Sequence, residues 1–221
     1  MIKNWWKILT VILLFYSMIA GLLFDVPRLP ILNETIRNLY YHVPMWFAMI
    51  VLLLISMVYA IRFLQTNNLK YDELSIEFAN TGILCGILGI ITGSLWARYT
   101  WGAFWTNDPK LNGAAIGLLI YFAYLILRGS LPDEFQRARI GAVYNIFAYF
   151  IFIPLIFVLP RLTDSLHPGN GGNPGFNAYD LDNNMRLVFY PAVIAWILLG
   201  VWISQIRVRI LRLQKNIENN D

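Results

Sequence analysis

Six long, continuous apolar runs constrain this chain more than any other feature. They lie near Trp5–Phe24, Val43–Leu64, Ile76–Trp96, Ala114–Leu127, Ala142–Leu159 and Met185–Ile206. A helix that crosses a bilayer needs about 20 mostly apolar residues, and these runs approach or exceed that length. Inside lipid every backbone polar group must be paired, so only helices and closed barrels can span. Barrel strands alternate apolar and polar residues, whereas these runs are unbroken. The expectation is therefore an all-α, six-transmembrane helix bundle forming a single domain over residues 1–221.

Composition agrees. Hydrophobic residues make up 58% of the chain and charged residues 14%, against roughly half and a quarter in soluble domains. The net charge of +4 does not indicate nucleic-acid binding, because the basic residues are dispersed singly between apolar runs. The single cysteine, Cys85, lies inside an apolar run and reads as a small buried hydrophobe. No C-x-x-C pair and no phosphate-binding loop is present, which argues against thiol chemistry and ATP hydrolysis by this chain. The first run begins after two lysines like a signal peptide. It is longer than an ordinary signal core of about 7–15 residues and is followed by no small-residue cleavage site. It is expected to be retained as the first helix.

Orientation follows the distribution of Lys and Arg. Lys3, Lys7, Arg62, Lys70, Arg128, Arg137, Arg139, Arg207, Arg209, Arg212 and Lys215 fall on one side, and Arg28, Arg37, Arg98, Lys110, Arg161 and Arg186 on the other. The richer side is expected to be cytoplasmic, with both termini inside. Three outer segments then remain, near 25–42, 97–113 and 160–184. The chain's two histidines, His42 and His167, both fall there. So does the aromatic stretch Thr100–Gly113, TWGAFWTNDPKLNG.

Each feature has an ordinary explanation. Tryptophan and tyrosine gather at membrane interfaces, a histidine at a helix end commonly serves hydrogen bonding, and the Gly/Pro-rich stretch after His167 reads as a loop solvated by Asp180 and Asp182. Taken together they suit haem. Imidazole is a common axial ligand of haem iron. Aromatic rings can bury a flat macrocycle, and Arg98, Lys110 or Arg161 could meet its propionates. Ligands at helix ends rather than mid-bilayer favour a site that receives or presents haem at the outer surface.

These residues also carry a family resemblance. Trp101 to Leu111, WGAFWTNDPKL, resembles the tryptophan-rich WWD segment of haem-handling proteins, whose pattern is roughly W-G-x-W-W-x-W-D-x-R-L. YYHVPMW, around His42, and LTDSLHPG, around His167, resemble the two histidine segments of the CcmC family of cytochrome c maturation. The resemblance covers essentially the whole chain. It implies a bacterial inner-membrane, multi-pass protein that transiently holds b-type haem on the periplasmic side. It also implies presentation to a CcmE-like haem chaperone, beside a CcmA–CcmB ATP-binding cassette complex and a CcmD-like small protein. Carried over by position, His42 and His167 are the axial ligands, and Trp101, Gly102, Phe104, Trp105 and Asp108 form the haem platform. Phe104 and Asn107 replace tryptophans of the pattern and Lys110 replaces its arginine, so an indole N–H, a ring and a bidentate fork are lost. Two rival readings remain: the membrane subunit of a CcsA-type cytochrome c haem lyase, which shares the WWD segment, and a non-haem membrane scaffold.

Overall fold

Short polar residues start the helices. Asn68 accepts a hydrogen bond from the Lys70 amide (3.0 Å), Asp108 from those of Lys110 and Leu111 (2.9 and 3.2 Å), and Asp133 from that of Gln136 (2.6 Å). Each satisfies amides that the first helical turn leaves unpaired. Asp108 is followed by Pro109, whose fixed φ and missing N–H suit the first helical position. The computed structural model describes residues 4–167 and 181–218. The helices are α1 (Trp5–Leu23), α2 (Leu39–Thr66), α3 (Leu69–Trp101), α4 (Pro109–Gly129), α5 (Glu134–Ile153), α6 (Leu159–Leu162) and α7 (Asn183–Glu218). A 3₁₀ turn, Asn33–Asn38, leads into α2, and a π turn, Pro154–Val158, joins α5 to α6.

Among the described residues, six helical segments are long and apolar enough to cross a membrane. This matches the six expected spans, and the chain is a multi-pass membrane protein. The helices outrun the apolar runs. The third starts at the Asn68 cap rather than at Ile76, and the fourth at Pro109 rather than Ala114. Hydropathy marks only the part of a helix that lies in hydrocarbon, while caps set where the helix begins. The fifth span runs through the π turn, where the Leu159 amide reaches back to the Pro154 carbonyl. Such single-turn π segments relieve the strain that a helical proline introduces.

A two-residue link joins α2 to α3. Asn67 adopts a left-handed conformation (φ 53°) and its amide bonds the Phe63 carbonyl (2.7 Å), so the chain reverses at once. The resulting helical hairpin is the most extensive pairing in the molecule. Glycines on α3 receive the side-chain ridge of α2 one by one. A Cβ added at Gly82 would meet Leu53, at Gly86 Met49, at Gly89 Trp46 and at Gly93 His42. Small residues at such spacing allow close backbone approach where lipid supplies no hydrophobic driving force between helices.

The opposite end is held by polar contacts. Arg128 of α4 grips Asp72 of α3 through two hydrogen bonds of 2.7 Å each. Asn145 of α5 donates to Ser56 of α2 (2.8 Å) and to Ser75 of α3 (3.2 Å). Glu77 pairs with Arg207, and Glu73 with Arg212 and Lys215, tying α3 to α7. Helix α1 runs antiparallel to α7. Trp6 meets Trp202 edge to face at 6.2 Å, and the Tyr16 hydroxyl donates to the Leu187 carbonyl. Both described ends of the chain thus lie at this polar end, and both histidines lie at the other.

Candidate functional site

His42 lies one turn inside α2, half-buried against the last turns of α3. Its ring rests on Gly93: a Cβ there would stand 2.5 Å from Cε1 and 3.2 Å from each ring nitrogen. Trp96 and Trp46 flank it edge-on, with ring centroids at 6.0 and 6.4 Å. Trp96 is held in turn by Thr35, which its indole N–H reaches at 3.3 Å. The His42 Nδ1 lies 3.1 Å from the Thr92 Oγ1.

His167 follows α6, and Asp108 fixes its place. The Asp108 carboxylate is buried and accepts from five groups. Oδ1 takes the His167 Nδ1–H (2.9 Å) and the two amides at the start of α4. Oδ2 takes the Ser165 hydroxyl (2.9 Å) and the Leu166 amide (2.7 Å). Ser165 also receives the His167 amide at 3.1 Å. One side chain thereby starts α4, ties down the segment before His167 and orients its imidazole. Burial alone would raise the Asp108 carboxyl. The hydrogen bond from His167, with those from the Leu166 amide and the Ser165 hydroxyl, instead holds it well below the usual carboxylate range.

The rings of the aromatic segment separate into two roles. Trp101, the last residue of α3, packs under His167 with ring centroids 4.9 Å apart at 76°. Phe104 and Trp105 instead face outward, 55% and 42% exposed, and form an open apolar shelf. Gly102 ends α3 with φ 82°, a conformation that favours glycine, and turns the chain toward that shelf. Arg98 donates to the Gly102 carbonyl and places its guanidinium 5.9 Å from the Phe104 ring centroid. The Trp105 indole donates to Asn112 (3.3 Å), which donates to Asn107 (2.8 Å). Asn107, where the pattern has tryptophan, therefore braces the remaining ring.

The structure thus brings the predicted site residues to one end of the bundle, although not all onto one platform. Phe104 and Trp105 form the shelf, Trp101 backs a histidine, and Asp108 is turned inward, 2% exposed, as a structural anchor. Asp182, expected to solvate a loop, accepts from the Met185 amide (2.7 Å) at the start of α7. Asp180 and the Gly/Pro-rich stretch lie outside the described residues. Sequence reasoning missed Thr92, Gly93, Trp46 and Trp96 around His42. The glycine spacing in α3 was the available signal, because each glycine marks where a side chain of α2 must lie.

The chemistry of this end is that of two imidazoles whose Nδ1 atoms are engaged, by Thr92 and by Asp108, while among the described residues no hydrogen bond is made by either Nε2. Their supports on α3, Gly93 and Trp101, are about 12 Å apart along the helix at ~1.5 Å per residue. Among the described residues no group of three or more His, Cys, Asp or Glu converges as a protein-only metal cage. A metal carried in a macrocycle needs only one or two protein ligands, and the donor set fits that case. The cleft beside Asp108, lined by Thr106, Asn107, Asp108, Asp164, Ser165 and Leu166, is about 180 Å³. Pockets that enclose ligands are about 300–1,000 Å³, so this cleft does not enclose a macrocycle.

Comparison with known proteins identifies relatives and a family. Three relatives, each named cytochrome c biogenesis protein CcsA, match part of the chain. One from a Synechococcus strain is 37% identical over 81 residues, covering 37% of this chain and 27% of the relative. One from Prochlorococcus marinus is 38% identical over 82 residues, covering 37% and 26%. One from a second Synechococcus strain is 43% identical over 77 residues, covering 35% and 25%. The chain thus spans about a quarter of the length of these curated relatives. The family described as heme exporter protein C, CcmC, matches over residues 1–221. This full-length match, on a six-span bundle with both histidines at one end, makes the chain a member of the CcmC family of haem-handling membrane proteins.

Proposed function

We propose that this chain holds haem at the outer face of the membrane, between His42 and His167, and presents it for cytochrome c maturation. The observation that carries the reading is the paired engagement of Nδ1. In His167 the proton on Nδ1 goes to the Asp108 carboxylate, so the Nε2 lone pair is available as a ligand. A carboxylate behind a ligating histidine fixes its tautomer and raises its basicity. Bound haem would supply an iron that accepts both Nε2 atoms, and a reactive edge. The exposed Phe104 and Trp105 would cover part of its apolar face, and Arg98, beside the Phe104 ring, would meet a propionate. The exposure of Phe104 and Trp105 suits transient holding, since a recipient protein can approach that side of the macrocycle. The chain's contribution is then orientation of two reactants. The side rich in Lys and Arg, with both termini, faces the cytoplasm, and the histidine end faces the periplasm of a bacterial inner membrane.

Two recipients are compatible with this geometry. The family favours a CcmE-like chaperone beside a CcmA–CcmB complex and a CcmD-like protein. The CcsA relatives favour a second reading, in which the chain is the membrane subunit of a CcsA-type haem lyase acting on apocytochrome c directly. Absorption spectra of the purified protein and of the His42→Ala and His167→Ala variants test the shared part. A low-spin haem spectrum lost in both variants is expected; a wild type that takes up no haem returns the aromatic segment to an interface belt. Haem-stained gels after co-expression with each recipient decide between the two, by which protein carries covalent haem.

A further inference from the structure

The residue that prepares His42 lies outside both histidine segments and outside the aromatic segment. Thr92 of α3 donates its single hydroxyl proton within its own helix, to the Leu88 carbonyl at 2.8 Å, with the Gly89 carbonyl at 3.2 Å. A threonine hydroxyl has one proton and two lone pairs. With the proton engaged, Oγ1 can only accept from His42 Nδ1, 3.1 Å away. The chain Nδ1–H to Thr92 Oγ1 to the Leu88 carbonyl satisfies two hydrogen bonds. The other tautomer, with a bare Nδ1, keeps one of them and breaks the other. One hydrogen bond corresponds to roughly a tenfold preference. Gly93 beneath the ring and Trp96 and Trp46 beside it restrict the remaining rotation.

We infer that Thr92 is the positioning residue for His42: it holds the imidazole as the Nδ1–H tautomer and keeps the Nε2 lone pair free to bind iron. This rests on the proposed haem role. It gives the two histidines different supports, a neutral hydroxyl behind His42 and a carboxylate behind His167. Thr92 lies in α3 and Asp108 caps α4, so both supports are fixed by the bundle and both histidines are set before haem arrives.

The two histidines are the only ones in the chain, which makes the test direct. Full-length, untagged protein labelled with ¹⁵N-histidine, free of haem and at neutral pH, gives two ring spin systems by NMR, assigned with His42→Ala. His42 is expected with its proton on Nδ1. Thr92→Val, of nearly the same shape, is expected to move His42 toward the Nε2–H form, and Thr92→Ser to restore it. After haem loading, Thr92→Val should lose several-fold of the low-spin fraction and Thr92→Ser should retain it. A wild-type His42 protonated on Nε2 would overturn the inference, and that measurement needs no variant to fold. So would Thr92→Val with unchanged tautomer and spin state. Loss of low-spin haem in His42→Ala and His167→Ala, with no effect of Thr92→Val, removes only the Thr92 role. A wild-type haem spectrum in both histidine variants removes the ligand reading beneath it.

Discussion

Gly93→Ala would test whether close helix packing positions His42, the proposed ligand. The added Cβ would stand 2.5 Å from the His42 Cε1 and 3.2 Å from both ring nitrogens. Ordinary carbon–carbon contact is about 3.5–4.0 Å, so the ring or the helix must move by about 1 Å. The ring is short and flanked by Trp46 and Trp96, so it cannot yield as the tip of a long flexible chain would. Overpacking of this kind costs about 1–3 kcal/mol. A shift of that size also breaks the contact with Thr92 and turns Nε2 away from its set direction. The expected result is a lower thermal unfolding temperature and a loss of low-spin haem at matched haem supply. Gly86→Ala separates the two effects. Its Cβ would meet the Met49 sulfur at 2.5 Å, an equally close contact, but with a flexible side chain two levels further from the histidine. It should cost stability while leaving the spectrum of bound haem intact. Wild-type haem occupancy and spin state in Gly93→Ala would refute the claim that this glycine seats His42 as a ligand in the proposed site.

Other perturbations probe the remaining contacts. Arg128→Ala strands the buried Asp72 carboxylate and should destabilise the protein by about 3–5 kcal/mol, measured by thermal unfolding in detergent, with no change in the haem spectrum. Asp108→Asn removes the anion that holds His167, Ser165 and Leu166; increased hydrogen exchange at Leu166 and loss of low-spin haem are expected at neutral pH. Because the folded Asp108 carboxyl lies below its unfolded value, its stabilisation is complete above about pH 4–5. It is lost as pH falls through the folded value. The difference in unfolding temperature between wild type and Asp108→Asn should therefore shrink as pH falls below about 4–5. Phe104→Ala and Trp105→Ala, at exposed positions, should weaken haem retention in a competition titration and leave thermal stability nearly unchanged.

The number of spans, their rough positions and the gathering of both histidines with the aromatic segment at one end were all legible in the sequence. Lipid imposes these features residue by residue: a run long enough to cross must be apolar, and alternation of spans then decides which loops share a side. The helix starts at Asn68, Asp108 and Asp133 are local chemistry of the same kind. What the tertiary structure decided is how those residues divide the work. Nothing near Trp101 in sequence says that it backs His167 while Trp105 faces outward. Asp108 reads as a platform residue until the segment after α6 folds onto it. Thr92 carries no motif, and its role appears only when the Asn67–Asn68 link sets the register that lays His42 over Gly93. Such contacts depend on the rotation and offset of one helix against another. Those are set by packing among many side chains at once, and no single stretch of sequence contains them.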